Sequence, residues 1–330
     1  FETITATLEG IIDHADSLGS AGRYGFGDNQ WVTAGKGIQH SEMFPLVNDK
    51  CPNPTRFFQL WLNLPGKSKM ADPFFVMHWD EEVPKITSED AEGVSGSIFA
   101  GELLGKKALP PPPDSWAADP ANEVAVWHLA LKSGSSITLP AARHGQAINR
   151  QLYFIEGSQI SVGTRVITNH AIVTLNADVD TVVANPHADT SEVLVLQGRP
   201  IGEPVVQHGP FVMNTQAEIK QAFADFQRTQ FGGWPWSSDG QVFPREKTRF
   251  ALQGGVETRP PAAQRLPQDM STKELKAAIA RAGLSSRAVG LSEKADYVAL
   301  LEAEREREME VQRQKGKAAS GVCDSGSVAP

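Results

Sequence analysis

The feature of this sequence that most restricts its fold is the close spacing of short β-patterned runs separated by glycine turns. In the first part of the chain these runs include TITATLEG at 3–10, QWVTAG at 30–35 and RFFQLWLNLPG at 56–66. The same pattern returns between residues 122 and 199. Strands that recur at this spacing are typical of sandwiches and barrels. The sequence therefore predicts an all-β protein built from two β-barrels of one kind.

Composition narrows the class of protein further. The 330 residues include 39 acids and 31 bases, a net charge of −8, which argues against nonspecific nucleic-acid binding by the whole molecule. No apolar run approaches the ~20 residues that a membrane helix needs. The two cysteines, Cys51 and Cys323, fit a reducing compartment better than a disulfide scaffold. Because no signal-peptide pattern is present, we expect a cytoplasmic location, a nuclear one or both.

Turn residues, prolines and capping signals divide the chain into six predicted segments. Helices are indicated by capping boxes at Thr215 with Glu218 and at Ser271 with Glu274, and by a capping residue at Ser292. The segments are a first barrel at 1–80 with its start missing, a connector with edge strands at 81–121, a second barrel with a capping helix at 122–257, a proline-rich linker at 258–270, a helical pair at 271–315 and a disordered tail at 316–330.

One short motif in the first barrel carries candidate chemistry. His40 and Glu42 are two residues apart, so in a strand their side chains project to the same side. Imidazole and carboxylate together suit iron, zinc, manganese or nickel. On spacing alone the pair is equally readable as two polar residues on the rim of a strand, and two ligands are too few to hold a metal.

A series of motifs around this pair resembles the pirin family. The resemblance runs from Phe1 to about Gly254, and its first block is highly specific. The motifs are FET at 1–3, LEG at 8–10, H-x-DS-x-G at 14–19, GD-x-QW-x-TAG-x-G at 27–37, HSEM at 40–43, QLW-x-NLP at 59–65, QHGPFVMNT at 207–215 and FGGWPW at 231–236.

The resemblance implies a fold and a metal site. Pirins are bicupins, so we expect two cupin (jelly-roll-like) β-barrels packed together, followed here by a short C-terminal helical module. The family's metal set is three histidines and one glutamate, with Fe(2+) as the expected ion and other divalent metals as alternatives. His40 and Glu42 match the family's H-[AS]-E motif. The two further histidines would lie just before Phe1, so we expect an N-terminally truncated sequence.

Two functions follow from this resemblance. The first is an iron-dependent dioxygenase of the quercetin 2,3-dioxygenase type, which opens a flavonol or similar small aromatic substrate with O₂. Glu42 would then be both ligand and proton acceptor, and His14 would belong to the pocket wall or be a structural histidine. His128 and His144 have no His-x-Glu partner, so no metal is expected in the second barrel.

The alternative is a non-enzymatic, iron-containing transcriptional co-regulator or a protein-docking bicupin. The helical pair at 271–315 resembles SAP-like modules, some of which bind nucleic acid. Ten bases against eight acids between residues 271 and 317 are too nearly balanced for a phosphate-driven binder. We therefore expect this module to dock a protein partner. A bicupin that has lost its metal is a third alternative.

Overall fold

The structure is a computed structural model, and the residues that it describes are 1–48, 52–168, 170–261, 272, 275, 276, 279, 284–301 and 303. The chain forms two compact units, each of which is described by itself. The larger comprises Phe1–Pro45 and Thr55–Pro260, and the smaller comprises Leu46–Pro54 and Pro261–Pro330.

The larger unit consists mainly of β-strands. Its single described α-helix is α1, Gln216–Thr229, and short 3-10 turns occur at Gly66–Ser68, Trp116–Ala118, Pro120–Asn122, Gly145–Ala147 and Gln230–Gly232. The strands are β1 Glu2–Glu9, β2 Ile11–Asp16, β3 Ala21–Gly25, β4 Asn29–Thr33, β5 His40–Met43, β6 Arg56–Leu62, β7 Phe74–His78, β8 Lys85–Ile86, β9 Val94–Ala100, β10 Glu102–Leu103, β11 Lys106–Lys107, β12 Ala125–Leu131, β13 Ser136–Leu139, β14 Asn149–Glu156, β15 Ile160–Val162, β16 Arg165–Ile167, β17 Ala171–Leu175, β18 Thr181–Ala184, β19 Ser191–Gly198, β20 Val206–His208, β21 Phe211–Met213, β22 Phe250–Gln253 and β23 Val256–Thr258.

The first barrel is made of two antiparallel sheets. One has the order β6-β1-β4-β7, and the other has the order β23-β22-β3-β2-β5. Side chains alternate along β1, so Ile4 and Ala6 belong to a buried apolar cluster while Thr5 faces Glu42 inside the barrel. This alternation places polar chemistry inside the first barrel and an apolar surface outside it.

Two strands of the first barrel come from far along the chain. β22 pairs with β3, with Phe250 opposite Arg23 and Leu252 opposite Ala21. The sequence pattern predicts that residues up to 257 belong to the second barrel, whereas β22 and β23 lie in a sheet of the first barrel. The backbone N–H and C=O groups along the free edge of β3 need hydrogen-bond partners, which β22 supplies. The local sequence of β22 does not indicate which strand it pairs with.

The second barrel also has two sheets, ordered β17-β14-β19-β12-β9-β8 and β13-β18-β15-β16. The sequence analysis placed β8 and β9 in a connector at 81–121, whereas in the structure they extend the six-stranded sheet. The barrel interior is filled by alternate side chains of these strands, which include Trp127, Leu129, Leu152, Phe154, Val193 and Val195. These side chains form the hydrophobic core of the second barrel.

The two barrels pack face to face through a shared apolar cluster. Ile4 and Trp31 of the first barrel contact a group that includes Phe99, Val126 and Leu194 of the second. Burying such side chains is worth ~1.5–3 kcal/mol for each large residue. This contact makes the pair of barrels one compact body.

An ionic cluster reinforces the same contact between the barrels. Arg56 of β6 reaches Glu156 at 2.6 Å and Glu192 at 3.1 Å, and His128 Nε2 lies 3.0 Å from Glu192. Burial opposes ionisation of Glu192, but the hydrogen bond and charge of His128, with the charge of Arg56, outweigh it and lower its pKa to about 2. Glu192 is therefore ionised at neutral pH.

The capping box predicted at the start of α1 is confirmed. Thr215 accepts a hydrogen bond from the Glu218 amide at 3.2 Å, and the Glu218 carboxylate accepts one from the Asn214 amide at 3.1 Å. Ile219 is buried beneath the helix, and Phe226 packs toward Phe211 and Phe231. The helix thus presents an aromatic face to the rest of the unit.

The smaller unit has a small hydrophobic cluster of its own. Its buried members are Leu275, Ile279, Leu284, Tyr297 and Leu301. The predicted capping box at Ser271 and Glu274, Cys51 and the tail at 316–330 lie outside the described residues.

Near the predicted cap of the last helix, the carboxylate of Asp296 accepts hydrogen bonds from the backbone amides of Ser292 and Glu293 at 3.4 and 3.1 Å.

In the described part of the chain, no helix is both long and apolar enough to cross a bilayer. The likeness of 271–315 to SAP modules stays a prediction.

Candidate metal centre

The candidate centre lies where β2 and β5 pair inside the first barrel. In this register His14 is the direct partner of Glu42, and Asp16 is the direct partner of His40. Each strand contributes two side chains that are two residues apart, so all four point to the same face. Strand pairing thus gathers two imidazoles and two carboxylates from separate parts of the sequence.

Three of these side chains form a group with metal-binding geometry. One donor atom each from His14, His40 and Glu42 lies within 4.8 Å of the other two. The two imidazole rings are 5.5 Å apart between centroids. Sequence spacing predicts that His40 and Glu42 share a face, and the structure has them so. It also brings His14, expected at the pocket wall, into the same group.

The hydrogen bonding of His14 suits a metal ligand. His14 is fully buried, and in the described part of the chain its Nδ1 has no hydrogen-bond partner. Its Nε2 lies 3.5 Å from the Asp16 carboxylate. Metal-binding histidines commonly hold one ring nitrogen against a carboxylate while the other is free to coordinate. The residues present therefore fit a divalent metal ion.

The Glu42 carboxylate is held by two hydroxyl groups. Tyr24 donates to Glu42 Oε1 at 3.0 Å, and Thr5 donates to the same oxygen at 3.2 Å. Burial and the nearby Glu42 charge hold the pKa of Tyr24 well above its usual range, so the phenol keeps its proton. Because both bonds fall on Oε1, Oε2 is the oxygen that remains for a metal or a proton.

His40 lies at the opening of the site. The residue is exposed at its edge, yet its ring is packed closely enough that burial lowers the pKa of the imidazole, and His14 adds to the shift. The carboxylates of Glu42 and Asp16 act in the opposite direction without cancelling it. A neutral imidazole is the form that binds metal ions.

His40 also lines a cavity of about 640 Å³. Much of its wall is apolar and aromatic, including Phe1 and Trp61, whose rings stack at 4.4 Å between centroids. Phe231 closes another side, and Gly37 makes room for it. A Cβ on Gly37, where φ is +127°, would lie 2.5 Å from the Phe231 ring. The cavity therefore combines polar groups at one end with flat apolar walls.

Sequence reasoning missed Asp16, Tyr24 and Thr5, which contact the candidate ligands without being ligands. Asp16 was visible in principle, because it follows His14 by two residues and so shares its face. Tyr24 and Thr5 are on other strands, and no local pattern connects them with Glu42. Their contribution depends on the register of strands that are distant in sequence.

Comparison with known proteins identifies the relatives of this chain. The Pirin family profile matches residues 1–62, and the profile of the pirin C-terminal cupin domain matches residues 126–232. A pirin-like protein of Solanum lycopersicum is 36% identical over 230 residues, which cover 69% of this chain and 72% of that protein. The chain belongs to the pirin family. Human pirin is 34% identical over 241 residues, covering 70% of this chain and 75% of the human protein.

Solved structures support the bicupin architecture of this pirin. The crystal structure of a quercetin 2,3-dioxygenase from Acinetobacter baumannii is 30% identical, with a TM-score of 0.61 over 71% of this chain and 76% of that one. A second quercetin 2,3-dioxygenase structure from the same organism has a TM-score of 0.58 at 21% identity and supports the fold alone. The predicted family and the predicted pair of cupin barrels are thus confirmed.

Proposed function

We propose that this pirin binds one divalent metal ion in its first barrel, through His14, His40 and Glu42, and acts as a dioxygenase on a flavonol-like aromatic compound. The observation that carries the proposal is that His40 belongs both to the three-residue donor group and to the wall of the aromatic cavity. The likeness to a quercetin 2,3-dioxygenase supports the substrate class.

Iron is the metal that we propose. Two imidazoles and a carboxylate suit iron, although manganese, nickel and zinc accept the same donors. When bound, the ion supplies a Lewis acid with open positions for a chelating oxygen donor. The protein supplies the remaining functions.

The aromatic walls bind and orient the substrate. A planar ring system fits between the stacked rings of Phe1 and Trp61 on one side and Phe231 on the other. Stacking of this kind contributes ~0.5–1.5 kcal/mol for each aromatic pair beyond area burial. The flat apolar cavity also excludes water from the reacting end.

Glu42 is the proton acceptor in this proposal. The hydrogen bonds from Tyr24 and Thr5 hold Glu42 Oε1 in place. Because a carboxylate is planar, they also orient Oε2. A substrate hydroxyl that reaches this carboxylate can transfer its proton to it, which favours the deprotonated, chelating form of the substrate. Tyr24 stays protonated throughout and keeps the carboxylate oriented.

Metal content and oxygen uptake test this proposal. Elemental analysis of the purified protein should find about one metal ion per chain, lost in His40→Ala and kept in His187→Ala, which removes an imidazole outside the centre. Incubation with quercetin under air should then consume O₂ in the unmodified protein and in His187→Ala only. Absence of bound metal would overturn the metal centre. Bound metal without O₂ uptake would overturn the dioxygenase activity alone.

We propose protein docking as a second function, because residues of 271–315 form a hydrophobic cluster of their own. A separately packed module is suited to contact a partner without altering the barrels. Deleting residues 271–330 should then abolish co-purification of a partner from the cytoplasm or nucleus while leaving metal content unchanged. Equal recovery of every partner by the shortened protein would exclude docking through this module.

A further inference from the structure

The second barrel contains a cavity of about 660 Å³ that the proposed metal centre does not use. Ala125, Gln197 and Arg150 line it and are register partners across β12, β19 and β14. Two residues along the same faces, Leu152 and Val195 belong to the apolar interior. The cavity therefore lies at the end of the interior of the second barrel.

Arg150 is the unusual residue of this cavity. It is 2% exposed, its Nε donates to Gln197 Oε1 at 2.7 Å, and its Nη2 donates to the Pro140 carbonyl at 2.8 Å. Its Nη1 has no hydrogen-bond partner in the described part of the chain. The guanidinium keeps its charge at neutral pH, and a buried charged donor without an acceptor is destabilising. The site therefore lacks one acceptor.

The carboxylates that share the cavity wall have other partners. Glu102 pairs with the Arg143 side chain, Asp119 accepts the Ala121 amide, and Glu123 accepts the amides of Arg143 and His144. Within the described residues, no carboxylate forms an ion pair with Arg150. Glu123 and Asp180 favour its charge only at longer range. None of these described carboxylates thus supplies the acceptor for Arg150 Nη1.

The rest of the wall indicates what kind of molecule would supply this acceptor. Pro110, Pro111, Pro120 and Pro140 line the cavity and present apolar rings. Trp127 lies beneath the guanidinium, with its ring centroid 6.0 Å from Arg150 Cζ. The buried Nε1 of Trp127 also has no hydrogen-bond partner among the described residues. Both groups are N–H donors, and a carboxylate is an acceptor for such donors.

We propose that this cavity binds a small organic acid, with its carboxylate on Arg150 Nη1 and Trp127 Nε1 and its apolar body against the prolines. Both nitrogens are covered in the structure, so binding requires the side chains that cover them to move. The site is separate from the metal centre, and the inference does not depend on the proposed dioxygenase function.

Calorimetric titration with 3-phenylpropionate tests the proposal, and 3-phenylpropanamide serves as a neutral control of the same shape. The acid should bind, and the amide should bind at least about tenfold more weakly, because the amide lacks the negative charge that faces the guanidinium and has an NH₂ donor in place of one acceptor oxygen. Equal affinities for acid and amide, or no heat with the acid at millimolar concentration, would overturn the proposal.

Three variants locate the binding. Arg150→Gln should weaken binding of the acid by about tenfold or more. Since replacing a buried residue can disturb the barrel, Ala141→Trp provides a second variant, which fills the exposed side of the cavity and leaves Arg150 in place. It should also abolish binding, whereas His40→Ala should not change it. If Ala141→Trp bound the acid as well as the unmodified protein does, the second barrel would not be the site. Loss of binding in His40→Ala alone would exclude it in the same way.

Discussion

The buried ion pair of Asp13 and Arg23 allows a quantitative test of what holds the wall of the first barrel. The two residues are direct partners in β2 and β3, and each is at most 1% exposed. Arg23 donates to both Asp13 oxygens, at 2.7 and 2.8 Å. It also donates to the carbonyls of Phe243, Pro244 and Lys247, at 2.8, 2.7 and 2.7 Å. One guanidinium thus joins two strands and a distant loop.

Replacing Arg23 with Met keeps an apolar stem but removes every one of these donors. Asp13 would remain buried with only the Phe243 amide, at 2.9 Å, as a partner. Removing one member of a buried pair typically costs ~3–5 kcal/mol. The loop carbonyls can regain water when the loop lifts, so we expect a loss of ~4 kcal/mol in the free energy of unfolding. Adding Asp13→Asn removes the unpaired charge and should restore ~1–2 kcal/mol.

Urea unfolding followed by tryptophan fluorescence measures these differences. Arg228→Met is the matched control, because Arg228 pairs with Asp225 at 2.9 Å on the surface with its side chain 72% exposed. That pair should contribute less than ~1 kcal/mol. A loss below ~1.5 kcal/mol for Arg23→Met, or a double variant less stable than Arg23→Met alone, would refute the reasoning.

Three further substitutions test other parts of the structure. Gly37→Ala places a methyl group against the Phe231 ring that closes the cavity, and it should lower the free energy of unfolding by ~1–3 kcal/mol. Gly19→Ala should lower it less, because Gly19 also has a positive φ but has open space around it. Equal thermal shifts for the two would contradict that contact. Tyr24→Phe removes a hydrogen bond to Glu42 and should weaken the proposed metal site ~10-fold in a chelator competition; unchanged affinity would argue against orientation by the phenol. The pKa of Glu192 is lowered to about 2 from 4.5, so its stabilising charge is complete above pH 4.5 and lost as pH falls toward 2. Unfolding midpoints at pH 7 and pH 3 should therefore differ less in Glu192→Gln than in the unmodified protein, and equal differences would exclude this carboxylate as the cause.

Local patterns sufficed for part of the fold and half of the candidate site. Alternation along β1 and the capping box at Thr215 each depend on residues a few positions apart, which a sequence displays directly. The same holds for His40 and Glu42, whose shared face follows from a spacing of two. These features were therefore predictable.

The rest depends on strand register across long separations. His14 lies beside Glu42 only because β2 pairs with β5 in one particular register. Tyr24 reaches the same carboxylate from a third strand, and Arg150 Nη1 has no hydrogen-bond partner among the described residues. No local pattern encodes such pairings, since a shift of one residue would turn each side chain to the opposite face.

The pairing of β22 with β3 has a consequence for how the protein is made. During synthesis the strands β1–β7 emerge well before Phe250, so until then the outer edge of β3 has no neighbour. An open strand edge is a template for association with other chains. We therefore expect a nascent first barrel to depend on chaperones until β22 has been synthesised.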